Sequence, residues 1–333
     1  LQDGLVLLVN VFEQQLTVNE ESEQKAVILS PINQTTMPVI HTIDLKFLNE
    51  PAAIAAFAIE DDAGVTLVEC GPFSTHHNLL KGLEEVGLSP GDVHTLLLSH
   101  IHFDHAGAAW WWAQRGTKVY VHPKGLKHMI DPTRLYASAA RIYGDENMEQ
   151  LWGKMEKIDE YDIAAVTDRS RLTFGGNTWV AHHTPGHANH HIAWQLGKIV
   201  FTGDVGGVKI KGGPVVPPCP PPDINLTQWR DSISRLRSLR AEKFYLTHYG
   251  QVDAQSDHLD RLSERLDRYV GWVGEVRKDG QDEDQIVVGF TEFVEADLRS
   301  NGVTDEVIGA YRAANPPGMS VAGILRWFTY LEA

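Results

Sequence analysis

The sequence predicts an α/β protein whose two sheets pack face to face with helices outside them, and three observations carry that expectation. Strand-like runs at residues 41–47, 54–59 and 65–68 precede one helix and another strand, an order that suits layered sheets. That fourth strand and three later ones each stop at a turn that carries metal-capable side chains. Beyond Gly250 the pattern reads as helical to the end.

Taken in order, Ile43, Leu45 and Phe47 alternate with polar neighbours, the period of a half-buried strand. Leu79, Leu80 and Leu83 give residues 77–86 helical spacing, and Gly87 ends the helix. Residues 93–98 form an apolar run that closes at Ser99, and Trp110, Trp111 and Trp112 begin a helix beneath that loop, with one of them a candidate to face a pocket. Residues 117–121 read as the next strand, ending at His122, whose packing role outweighs its candidacy as a ligand. An insertion follows at about 123–167, larger than a connecting loop needs. Asp131 and Pro132 open its first helix, faced by Leu135, Ala139 and Ile142, and a second helix carries Met148, Leu151, Trp152 and Met155. Tyr136, Tyr143, Trp152 and Met155 are candidates for an apolar cover over the site.

Residues 212–222 are too proline-dense for strand or helix and predict a stiff extended rim. The helix at 227–240 turns Trp229, Ile233, Leu236 and Leu239 inward and leaves Arg235, Arg237 and Arg240 on a solvated face. Two apolar stripes run through Leu259, Leu262, Leu266, Val270 and Val273, and through Val321, Ile324, Leu325, Phe328 and Leu331. Pro316, Pro317 and Gly318 separate the last two helices. The chain thus divides into an N-terminal extension at 1–39, a core at 40–250 and a helical C-terminal extension at 251–333. The N-terminal extension is expected to add a strand or to swap onto a second subunit, making a homodimer. Its apolar run at 5–12 is short and flanked by Asp3 and Glu13, which predicts neither a signal peptide nor a membrane span.

The chemistry is concentrated at the strand ends. His100, His102, Asp104 and His105 place four metal-capable side chains in six residues. In an extended segment His100 and His102 share a face, and the turn after them swings Asp104 and His105 toward a second position. Imidazole and carboxylate together suit Zn, Fe, Mn or Co, and the cluster holds no cysteine of the kind a closed structural zinc site uses. Three more strand ends lead to His182, His183 and His187, to Asp204, and to His248.

With those residues in view, the chain resembles the metallo-β-lactamase superfamily over about residues 40–250. The motif His-x-His-x-Asp-His is present as His100 to His105, with His187, Asp204 and His248 at the remaining ligand positions. The resemblance implies an αββα four-layer sandwich and two divalent metal ions, Zn first and Fe or Mn next. One ion would be held by His100, His102 and His187, and the other by Asp104, His105 and His248, with Asp204 shared. One departure stands out: the strand before the motif ends in Glu69, Cys70 and Gly71 where the family has an Asp, a small residue and Gly. The helical tail resembles the additions of glyoxalase II and of lactonase-like and thioesterase-like relatives. The lactonase branch often places a tyrosine near the metals, and Tyr136, Tyr143, Tyr245 and Tyr249 are the candidates.

Two adjacent divalent ions bring the pKa of bound water to about 7, so attack of metal-bound hydroxide on a carbonyl is the expected reaction. Asp104 is the expected catalytic proton carrier, and His183 and His191 are candidates to orient ligands. The expected substrate is a small molecule, a lactone or carboxylic ester first. A glutathione thioester is next, although no cluster of basic residues for its carboxylates stands out. A persulfide dioxygenase with a single Fe on His100, His187 and Asp204 is the alternative of another class, and a metal-binding scaffold without catalysis is a third. The net charge of −15 and the lack of a basic stripe argue against nucleic acid as a partner. Two cysteines in 333 residues offer no disulfide framework, which suits a reducing, cytoplasmic setting.

Overall fold

The computed structural model describes residues 38–332, and the expectations for the N-terminal extension before Pro38 lie outside them. The first sheet runs β1 (Ile40–Asp44), β2 (Ala55–Asp61), β3 (Gly64–Val68), β4 (Val93–Leu97), β5 (Lys118–Val121) and β6 (Ile163–Ala165), in that spatial order. The second comprises β7 (Arg171–Phe174), β8 (Asn177–His183), β9 (Ile192–Leu196), β10 (Ile199–Phe201), β11 (Lys243–Leu246) and β12 (Gly250–Asp253), again in unbroken order. Strands β3 to β6 are parallel, as are β10 and β11, and the other pairs are antiparallel.

The helices are α1 (His76–Glu85), α2 (Phe103–Ala106), α3 (Ala109–Ala113), α4 (Pro123–Ile130), α5 (Thr133–Tyr143), α6 (Asp145–Trp152), α7 (Leu226–Ser238), α8 (His258–Val276), α9 (Glu283–Ser300), α10 (Asp305–Ala314) and α11 (Pro317–Glu332). Alternation along β2 explains the layering. Phe57 and Ile59 point to the second sheet, where they pack with Trp179, Phe201 and Tyr245, while Ala56 and Ala58 point to the outer layer with Leu79 and Leu83 of α1. On the far side Trp229, Ile233 and Leu236 of α7 cover Val200 and Phe244. The arrangement is helix, sheet, sheet, helix, as the sequence predicts.

Two elements differ from expectation. Residues 163–165, placed in the insertion by sequence, form β6 and hydrogen-bond to β5, so α4 to α6 are the crossover between neighbouring parallel strands. Residues 250–253 form β12, an edge strand on β11, where a helix was expected. Each is three or four residues long and takes its conformation from the strand beside it, which leaves little local pattern to read. The C-terminal helices bury Leu262, Leu266, Val273, Val321 and Ile324 as their stripes predict, but Leu331 is exposed. Among the described residues no helix is long and apolar enough to cross a membrane.

Candidate metal site

The loops after β4, β8, β10 and β11 bring seven side chains together. After β4 the chain stays extended through His102, and α2 begins at Phe103, so Asp104 and His105 stand in its first turn. His187 follows β8, Asp204 sits in the turn Gly203–Gly206 after β10, and His248 follows β11. Two groups result, His100 with His102 and His187, and Asp104 with His105, Asp204 and His248. Within each, the ligand-capable atoms lie within 4.8 Å of one another.

Asp204 faces both groups. Its Oδ1 lies 3.1 Å from His105 Nε2 and 3.5 Å from His248 Nε2, while its Oδ2 lies 3.4 Å from His187 Nε2. Asp104 Oδ2 lies 3.5 Å from His105 Nε2 and 3.4 Å from His248 Nε2. In the first group His102 Nδ1 is 2.9 Å from His100 Nε2 and 3.1 Å from His187 Nε2.

The backs of the imidazoles are held by oxygen. His105 Nδ1 meets Glu69 Oε1 at 3.1 Å, and His248 Nδ1 meets the Ala53 carbonyl at 2.7 Å. His187 Nδ1 meets the Pro218 carbonyl at 2.9 Å, and His100 Nδ1 meets Ser99 Oγ at 2.9 Å. Donation from Nδ1 leaves the Nε2 lone pair free to bind a cation, the tautomer that metal-ligating histidine needs. These four partners were not read from the sequence. Glu69 alone left a signal, because it occupies the position of the family Asp. Of His183 and His191, the candidates to orient ligands, His183 stacks on His122 at 4.3 Å, while His191 pairs through Nδ1 with Thr184 Oγ1 and its ring lies 5.2 Å from that of His100.

The site fits a divalent cation. His105 Nε2, His248 Nε2 and Asp204 Oδ1 are buried with no hydrogen-bond partner, an expensive arrangement unless an ion satisfies them. Burial disfavours charge on His105 and His248, but the Asp204 and Asp104 carboxylates outweigh it and raise both pKa values. Burial would raise Asp104 and Asp204 as well, yet the neighbouring imidazoles hold both carboxyls low. Burial, with His187 beside it, lowers His102 to about 3, and burial together with the surrounding imidazoles lowers His100 well below its ordinary value. The imidazole nitrogens and ionised carboxylates form a donor set of nitrogen and oxygen, suited to Zn, Fe or Mn, and a bound cation would displace the protons that the carboxylates hold on His105 and His248.

A cavity of about 960 Å³ opens above these residues. Its floor includes His102, Asp104, His187 and Asp204, and the proline rim contributes Pro218 and residues 220–222 as one wall. Of the proposed apolar cover, Tyr143 and Trp152 line it. None of Trp110, Trp111 and Trp112 does: Trp110 and Trp112 are buried beneath the loop and Trp111 lies under Arg115. Among the four candidate tyrosines only Tyr143 reaches the cavity, and burial and the Asp104 charge push its phenol upward. Tyr136 packs on Phe103, Tyr245 lies between the sheets, and Tyr249 is held near Asp44.

Residues 50–248 match the family model of the metallo-beta-lactamase superfamily. The chain belongs to this superfamily. A curated relative, the metallo-beta-lactamase fold-containing protein ST1585 of Sulfurisphaera tokodaii, is 29% identical over 180 residues, half of this chain and 65% of its own length. The match therefore spans just under two thirds of that relative. The crystal structure of ST1585 superposes with a TM-score of 0.57 at 23% identity, over 71% of this chain and 87% of that one. The metallo-beta-lactamase family protein TTHA1429 from Thermus thermophilus gives a TM-score of 0.65 at 19% identity, over 89% of this chain and 93% of its own. Both share the superfamily fold with this chain.

Proposed function

We propose that this member of the superfamily is a metal-dependent hydrolase that holds two divalent ions and opens a lactone or carboxylic ester. The observation that supports it is the two-sided placement of Asp204, with Oδ1 toward His105 and His248 and Oδ2 toward His187. Ions bound there would acidify water and polarise a carbonyl oxygen. The protein's own groups do the rest. Water adds to the carbonyl carbon, the bond to the ring or alkoxy oxygen breaks, and one proton must pass to that oxygen. Asp104 stands at the cavity floor with Oδ2 turned to the histidines and carries that proton on its carboxylate. Tyr143, kept protonated by burial and by the Asp104 charge, donates from the cavity wall to an oxygen of the substrate. The proline rim and Trp152 exclude bulk water.

The test is metal content per chain in protein purified without chelator, read beside hydrolysis of lactones, aryl esters and glutathione thioesters. Two equivalents of Zn, Fe or Mn with lactone or ester turnover is the expected result. A single Fe, no hydrolysis, and oxygen consumption with a persulfide would replace this reading with a dioxygenase.

A further inference from the structure

The chain carries 44 acidic residues against 29 Lys and Arg, yet the wall of its one large described cavity is cationic. Lys127 and His128 lie one helical turn after Lys124 on α4, and Arg134, Ser138 and Arg141 fall at successive turns on α5. Both rows line the cavity. Their helical spacing is why no basic cluster stands out in the linear sequence: the cations are spread from Lys124 to Arg141, and folding puts them on one wall.

Lys124, Lys127, Arg134 and Arg141 form no close ion pair among the described residues, although Lys124 acts on Asp223 and Arg134 on Asp131 at longer range. The remaining cavity arginine, Arg312, is neutralised by Glu295. The only carboxylate of the lining away from the metal site is Asp223, and burial pushes its pKa up. His128, part-buried on α4, is pushed down by burial and by the Lys127 and Arg134 charges. Leu135, Ala139, Ile142, Leu151 and Trp152 line the same cavity and give it an apolar surface.

We propose that the substrate carries an anionic group of the carboxylate class, which docks on α4 and α5 while its apolar body spans to the carbonyl at the floor. The inference deepens the hydrolase reading and rests on it for the reacting end only. In a chain of net charge −15 an anion gains nothing from the overall field. A concave wall with four cations outside any close ion pair supplies the attraction locally.

Two measurements test it. Hydrolysis of 4-nitrophenyl hydrogen glutarate is compared with that of 4-nitrophenyl pentanoate, which has the same acyl length without the anion. Binding of 3-phenylpropane-1-sulfonate, a weak metal ligand, is compared by calorimetry with binding of 3-phenylpropanol. In Arg134→Gln/Arg141→Gln, and separately in Lys124→Gln/Lys127→Gln, the anionic-to-neutral ratio of kcat/KM is expected to fall about tenfold, a 1.4 kcal/mol change. Sulfonate affinity should fall in parallel. Equal binding of sulfonate and alcohol, or sulfonate binding that neither double variant weakens, overturns the anion site whether or not any ester is cleaved. Cleavage of neither ester, with sulfonate binding that the variants weaken, retains the anion site and rejects the ester hydrolase.

Discussion

Glu69 is the residue on which this chain departs from its family pattern, and the structure gives the longer side chain a full role. It lies at φ 62°, buried to 1% exposure, with Oε1 toward His105 Nδ1 and Oε2 accepting from the Ser99 backbone N–H at 3.2 Å. One carboxylate therefore fixes both a candidate ligand and the loop that starts the motif. Glu69→Ala is expected to weaken metal affinity roughly 10- to 100-fold and to cost about 1–3 kcal/mol of stability, because buried donors on Ser99, His105 and Thr247 lose their acceptor. A competition titration against a metallochromic chelator, with thermal unfolding of the same samples, checks both numbers. His76 offers a prediction in pH. Its ring lies against Phe73 and Trp111 with neither nitrogen hydrogen-bonded, and burial, reinforced by Arg115, lowers its pKa to about 4. The unfolded chain takes up that proton near 6.5, so the neutral ring stabilises the fold above pH 6.5 and the contribution is lost as pH falls toward 4. The stability difference between His76→Phe and the wild type should grow in favour of the variant by about 1–3 kcal/mol over that window. Parallel pH dependence of the two Tm values would contradict it.

At the scale of elements, the proline rim is held from behind by the C-terminal helices. The Cys219 backbone N–H donates to Ser320 Oγ, Asn315 Nδ2 donates to the Pro217 carbonyl, and Arg326 Nε donates to the Pro222 carbonyl. Helix α11 approaches so closely that a Cβ on Gly323 would sit 1.9 Å from the Cys219 carbonyl oxygen. That rim presents the Pro218 carbonyl to His187, so the tail acts on the site through one strap of backbone. Gly323→Ala must push α11 and the rim apart. The expected cost is about 1–3 kcal/mol from overpacking, with weaker metal binding at the group that contains His187. Thermal unfolding and metal stoichiometry measure the two consequences separately. A stability loss with unchanged metal binding would show that the strap yields without moving Pro218.

For the whole molecule, seven candidate ligands come from four loops that tie both sheets together, so bound metal and folding are linked. An ion that binds only the folded chain stabilises it by about 4 kcal/mol when present at a thousand times its Kd. Extraction with a chelator should lower Tm by several degrees, and added Zn should restore it. Removal of metal without a change in Tm would mean that the ions contribute nothing to holding the loops.

Local pattern made much of this protein legible. The strands β2, β3, β4, β8, β10 and β11 announce themselves through apolar runs, because a strand buried on one or both faces must carry such residues. The choice of His187 over His182 and His183 rested on the family resemblance, whereas the strand ends that carry His100 to His105, His182 to His187, Asp204 and His248 were readable because they are punctuated by Gly. Edge strands β6 and β12 were not, since their conformation comes from a neighbour's hydrogen bonds. Nor were the partners behind the imidazoles: two are backbone carbonyls, of Ala53 and Pro218, and every residue has one of those. The choice of Tyr143 from four tyrosines, the exclusion of Trp110 to Trp112 from the cavity and the cationic wall of α4 and α5 depend on which helix faces meet across space. Composition and spacing assign a chain its layers and its metal-capable loops, whereas what those loops enclose follows from packing between segments far apart in sequence.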